Sequence, residues 1–157
     1  MSAVVGIDLS SRAVDLVTLD EVMGDAHHTR ISLEAAGKQA TAWERTLALP
    51  ALMPPDSYWD GVYLAAIEAP YGSGHGTVAV LNRIVGALAA TIPTRPLWVV
   101  RPDEWKRSLR LHGKPTAETV EQLGLVLEGP YAASQDARDA LCIAYYARET
   151  NAAALAS

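Results

Sequence analysis

Apolar residues along the chain fall first into short unbroken runs and later into stripes spaced three and four apart. "AVVGIDLSS" opens with an apolar, β-branched run, as a strand covered on both faces does, and ends in small polar residues where it leaves the sheet. "RAVDLVTL" alternates at Val14, Leu16 and Thr18, and "DEVMGDA" supplies turn chemistry before "HTRISL". These segments predict an antiparallel meander of three strands. In "EAAGKQATAWERTLALPALM" apolar residues recur at Ala40, Trp43, Leu47 and Ala51, which predicts a helix to about Ala48, with Pro54-Pro55 as its stop. "GVYLAAIEA" reads as a second buried strand. The Gly-rich "PYGSGHG" follows it, then a helix with Leu81, Ile84, Val85 and Leu88 on one stripe, then the strand "PLWVV". Strand, helix and strand make a right-handed βαβ unit with parallel strands. "RPDEWKRSLRL" predicts a short helix and "GKPTAETVEQLGL" another, with Pro115 near its start. "SQDARDALCIAYYARE" is the last helix, before an Ala-rich end expected to fray. The expected fold is α/β: a mixed central sheet, three antiparallel strands then parallel ones, flanked by helices. Residues 1–150 form one domain and 151–157 a short tail.

Composition narrows the class. With 157 residues, half of them apolar and a fifth charged, the chain can bury one sizeable core. It has no run of about 18 apolar residues and no basic, hydrophobic leader, so no membrane partner and a cytoplasmic location are expected. The lone Cys142 lies inside an apolar helix and reads as core in a reducing compartment. A net charge of −5 argues mildly against a nucleic-acid partner. Locally the balance reverses: Arg95, Arg101, Lys106, Arg107, Arg110 and Lys114 stand against only Asp103 and Glu104, a face that can attract phosphates.

The carboxylates carry the candidate chemistry. Asp8 and Glu68 each close an apolar run, "VVGID" and "LAAIE". An acid at such a strand end is costly to desolvate unless something positive meets it, and a metal ion is one such partner. Asp136 and Asp139 stand one turn apart at the start of the last helix. By themselves they read as helix chemistry, with Ser134 as the cap and acids favouring the helix dipole. Asp8 alone could equally bond a turn near Ser10 or Ser11. If the first and fourth strands are neighbours, however, Asp8 and Glu68 lie side by side and the two helix acids complete a set of four. Four carboxylates suit Mg²⁺, a hard cation that takes oxygen ligands, and Mn²⁺ would substitute. Two such ions about 3.5 to 4 Å apart activate water and stabilise the leaving oxygen in phosphodiester hydrolysis. Other motifs carry less. His27 and His28 are expected exposed or strand-paired, with Asp25 as the acid near them. His75 and His112 fall in loops near the site without a ligand role. "GSGHG" is not a phosphate loop, since no Lys-Ser or Lys-Thr follows it.

These four segments in this order resemble the RuvC-type Holliday-junction resolvases of the ribonuclease H-like nuclease superfamily, over roughly residues 3 to 148. "GIDLSS" resembles the first-strand motif and "AAIEAPYGSG" the segment of the second acid. "VRPDEWKRSLRLHGKPTAETV" resembles the basic stretch, and "DARDALCIAYYA" the closing motif. The resemblance implies a homodimer that cuts branched DNA, most of all four-way junctions, with two divalent ions held by Asp8, Glu68, Asp136 and Asp139. It implies that Tyr71 stacks on a base, that Lys106 approaches the cleaved strand, and that the helix from about His75 to Thr91 lies near the dimer interface. Arg107, Arg110 and Lys114 are the further DNA-binding residues expected, and no small-molecule cofactor is. The sequence departs from the family at Leu9-Ser10, where the family carries Pro-Gly, and at Ala117, where it carries a second lysine. The same acids would also serve a ribonuclease H-like nuclease acting on flaps, RNA:DNA hybrids or other structured nucleic acid. A non-catalytic junction-binding protein is the remaining alternative. "GIDLSS" also resembles a phosphate loop of the sugar-kinase and actin-like ATPases, but those need two related domains and this chain is too short for both.

Overall fold

A computed structural model describes residues 2–71, 75–93 and 97–156. Its centre is a six-stranded sheet in the order β5-β4-β1-β2-β3-β6. Strands β1 (Ala3–Leu9), β2 (Ala13–Asp20) and β3 (Asp25–Ser32) form the expected antiparallel meander. The β1–β2 turn is closed by Ser10, whose Oγ accepts from the N–H of Ala13 at 2.9 Å, so Asp8 is free of that duty. Strand β4 (Val62–Glu68) runs parallel to β1, and β5 (Leu97–Val100) parallel to β4.

Helices cover both faces. α1 (Ala42–Leu52) and α2 (His75–Thr91) lie on one side, where Val5, Ile7, Leu16, Ile67, Ile84 and Leu88 form a core. α3 (Pro102–Ser108), α4 (Ala117–Gln122) and α5 (Gln135–Ala156) lie on the other, around Val4, Val17, Leu64, Ala66 and the buried stripe of α5. Ile143, Ala144 and Ala147 are fully buried and anchor α5 on the sheet. One glycine permits that seat. A Cβ on Gly6 of β1 would run into the Ala140 carbonyl oxygen and come within 2.6 Å of the Ala144 nitrogen, so only glycine lets the α5 backbone lie directly on β1.

Three elements differ from the sequence expectation. The helix predicted up to Ala48 is a 3-10 turn at Leu33–Ala36, a break at Gly37 (φ 120°), and then α1. A capping box sets its start: the Thr41 hydroxyl accepts from the Glu44 N–H at 3.2 Å, and Glu44 Oε2 accepts from the Thr41 N–H at 2.7 Å. Pro50 falls in the last turn and is accommodated, and the helix stops at Met53, whose extended backbone suits the proline after it. A short strand, β6 (Val126–Glu128), adds to the free edge of β3 in parallel. Three residues between Gly124 and Gly129 carry too little alternation to show in the sequence. Finally, α5 continues as helix through the Ala-rich end to Ala156 instead of fraying after Arg148. Among the described residues no helix is long and apolar enough to cross a membrane. The glycines at 72 and 74 and Arg95 lie outside the described residues.

Candidate metal centre and nucleic-acid face

Alternation along the strands decides what faces α5. Val4 and Gly6 look toward it, so Asp8 does too. Leu64 and Ala66 do likewise, so Glu68 follows. Because Ile7↔Ile67 is the last pair of the parallel β1–β4 ladder, the next residues, Asp8 and Glu68, stand as neighbours just past its end, each still paired on its other side, Asp8 with Asp15 and Glu68 with Val100. The close approach at Gly6 then sets the first two turns of α5, with Asp136 and Asp139, over the same end. Ser134 still caps the helix, accepting from the Ala137 N–H at 3.1 Å, so capping and clustering coexist.

The charges of these acids act on one another. Asp8 is pushed up to about 8, first by burial and then by the charges of Asp139, Glu68, Asp136 and Asp15. No hydrogen-bond donor among the described residues reaches its carboxylate. Glu68 is raised by burial, partly offset by a 2.7 Å hydrogen bond from the Trp105 indole N–H and by the charge of Lys106. Asp139 is raised by burial, against a 2.9 Å hydrogen bond from Gln135 and the charges of Lys106 and Lys114. Asp136, whose side chain is 47 % exposed, takes a 2.9 Å ion pair from Arg30.

The four acids thus act on one another through their charges, and each of the outer three leans on its own donor. Among the described residues no three His, Cys, Asp or Glu side chains stand in a ready metal-ligating arrangement. Chemically the set still suits a hard divalent cation. All the donors are carboxylate oxygens, and a central acid held protonated up to about 8 marks a place short of positive charge.

A second layer, not apparent in the sequence, lies behind Asp8. Asp15 sits opposite Asp8 in the β1–β2 register and is almost fully buried. His28 Nε2 lies 2.7 Å from its Oδ1, and Arg30 forks onto it at 2.8 and 3.1 Å before reaching Asp136. Burial alone would raise Asp15, but the hydrogen bonds of His28 and Arg30 outweigh it and hold the carboxyl low. Both histidines are strand-paired as expected, His27 with Thr18 and His28 with Val17, and His27 is also exposed. The difference is the acid: His28 is buried and meets Asp15, two positions along β2 from Val17, rather than Asp25. The sequence signal was one acid, Asp15, inside an otherwise buried strand.

The basic residues divide. Lys106 is half-buried, its Nζ 4.9 Å from the centre of the Trp105 ring, and it acts electrostatically on both Glu68 and Asp139. Lys114 is exposed and acts on Asp139. Arg107 and Arg110 are exposed, further along a groove of about 570 Å³ that they line with Lys106 and His112. Arg107 also lies 3.7 Å from Asp103. Tyr71, 83 % exposed, stands three residues beyond Glu68.

A meander continued by parallel strands, with helices on both faces and acids gathered at the adjacent ends of β1 and β4, is a ribonuclease H-like α/β architecture. The solved structures it resembles narrow this further. A structure of T. thermophilus RuvC in complex with Holliday junction substrate matches over 97 % of this chain and 96 % of that one, with a TM-score of 0.67 and 20 % identity. A Thermus thermophilus RuvC structure matches over 96 % of each chain, with a TM-score of 0.64 and 22 % identity. The chain thus has the RuvC fold over nearly its whole length. No protein-family model and no curated protein matches the sequence.

Proposed function

We propose that this chain is a divalent-metal-dependent endonuclease that hydrolyses phosphodiester bonds in branched DNA, foremost four-way junctions. The observation that carries the reading is that Asp8 and Glu68 stand at the adjacent ends of β1 and β4, with the first turns of α5, which carry Asp136 and Asp139, seated on β1 through Gly6. Asp8 and Glu68 would hold a shared ion, and Asp136 and Asp139 would complete two sites. When bound, Mg²⁺ or Mn²⁺ supplies an activated water and stabilises the leaving oxygen.

The chain's own residues do the rest. Arg30 and Gln135 orient Asp136 and Asp139 through the bonds described. Lys106 and Lys114 neutralise phosphate beside the acids, while Arg107 and Arg110 extend the positive face for a second arm. Tyr71 stacks on an unpaired or distorted base from the rim. The likeness to a RuvC structure holding a Holliday junction favours this substrate over others. A homodimer, with α2 near the interface, would present two such centres to paired strands.

A substrate panel tests the reading: a synthetic four-way junction, linear duplex, a flap and an RNA:DNA hybrid, each with Mg²⁺. Preferential, paired cutting of the junction is expected. Equal cutting of linear duplex would overturn the junction specificity, and preference for hybrid or flap would move the chain to another nuclease of this fold. Junction binding without any cutting would make it a non-catalytic binder.

A further inference from the structure

The sheet register and the helix after it bring one neutral donor to the acid site. Val100, the last residue of β5, pairs with Glu68, the last of β4, and the Ala69 N–H donates to the Val100 carbonyl at 2.7 Å. Arg101 and Pro102 then start α3 at once. Its first turn is fixed by the Glu104 carboxylate, which accepts from the Arg101 N–H at 3.1 Å. Five residues after Val100 the helix turns Trp105 inward over Glu68. Trp105 is wholly buried, and its indole N–H donates to Glu68 Oε2 at 2.7 Å, while Lys106 lies over the ring on the outer side. The indole N–H is a single donor in a packed ring, so it holds one oxygen of Glu68 in one direction and leaves the other available.

We propose that Trp105 is the positioning residue for Glu68, fixing that carboxylate for divalent-cation binding through its indole N–H and seating Lys106 beside the same site through its ring. This rests on the metal-centre reading above and adds a residue to it. Partners outside the ligand shell that orient ligating side chains typically change metal affinity by about 10- to 100-fold when removed. Trp105 differs from Arg30 in carrying no charge, so replacing it leaves the site's electrostatic sum intact and isolates orientation.

The test is Mn²⁺ binding to the full chain, followed by the paramagnetic resonance signal of the free ion, in wild type, Trp105→Phe and Trp98→Phe. Phenylalanine keeps an aromatic ring at position 105 but removes the N–H. Trp98 is a partly buried ring against the same core and serves as the packing control. The expected result is Mn²⁺ binding at least about 10-fold weaker in Trp105→Phe, with a thermal midpoint close to wild type, and unchanged affinity in Trp98→Phe. Wild-type affinity in Trp105→Phe would overturn the positioning role while leaving the metal centre standing. Equal weakening in both variants would reduce Trp105 to packing. Absence of saturable Mn²⁺ binding in wild type would overturn the metal-centre reading, and this inference with it.

Discussion

Asp8 ionises late because burial and four other acids oppose its charge, and this has a consequence for stability as well as for metal binding. Its ordinary value is 3.8 and its value in the fold about 8. Between those limits the folded state keeps a proton that the unfolded chain releases. The stability that Asp8 contributes is therefore full below about 3.8 and is lost as pH rises toward 8. In chelator, Asp8→Asn should be more stable than wild type at pH 8 by about 2 kcal/mol, the scale of relieving an unpaired buried charge. The difference should vanish toward pH 4, as read from denaturant midpoints; parallel pH profiles would show that Asp8 is not a strained acid. Metal affinity should rise over the same interval, since proton and cation compete for one carboxylate. Asp8 and Glu68 were legible in the sequence because each closes an apolar run with a single acid. For the buried His28 the sequence offered only half a signal, the single acid Asp15 in an otherwise buried strand; that the two meet is set by the register of β2 and β3.

At the scale of elements, the site depends on how closely α5 lies on β1, and Gly6 decides that distance. The obstruction to a side chain there is backbone, the Ala140 carbonyl and the Ala144 nitrogen, rather than the flexible end of a neighbour. Gly6→Ala should push α5 away from the sheet, at a cost of about 1–3 kcal/mol, and carry Asp136 and Asp139 off Asp8. A lowered thermal midpoint together with lost Mn²⁺ binding is expected; wild-type values for both would mean that α5 is seated differently. The meander, β4, β5 and the start of α5 were legible because long apolar runs and stripes dominate them. The late start of α1 was hidden by apolar residues that keep helical spacing through Gly37, and β6 by its three-residue length. The join that makes the site, one glycine beneath two alanines, carries no signal of its own. It follows only once strand and helix are known to pack.

For the whole molecule, the net charge of −5 works against a polyanionic partner, so the DNA affinity proposed for the chain would have to come from one face. Lys106 stands nearest the acids on that face. Lys106→Ala should weaken junction binding and make the dependence of log affinity on log salt shallower by about 1, as loss of one phosphate contact does. An unchanged slope would place Lys106 on structure instead of on phosphate. The charge balance of the segment carrying Lys106 was legible in sequence and the resemblance pointed Lys106 toward the cleaved strand, while its action on Glu68 and Asp139 follows from the way α3 leaves β5. The acids around Asp8 are proposed as a cleavage centre for branched DNA. Its most direct test is cleavage of a synthetic four-way junction in Mg²⁺ by wild type and by Asp8→Asn, prepared identically and checked for equal junction binding. Cutting by wild type and none by Asp8→Asn, with binding retained, is the expected result. Equal cutting by the two proteins would contradict it.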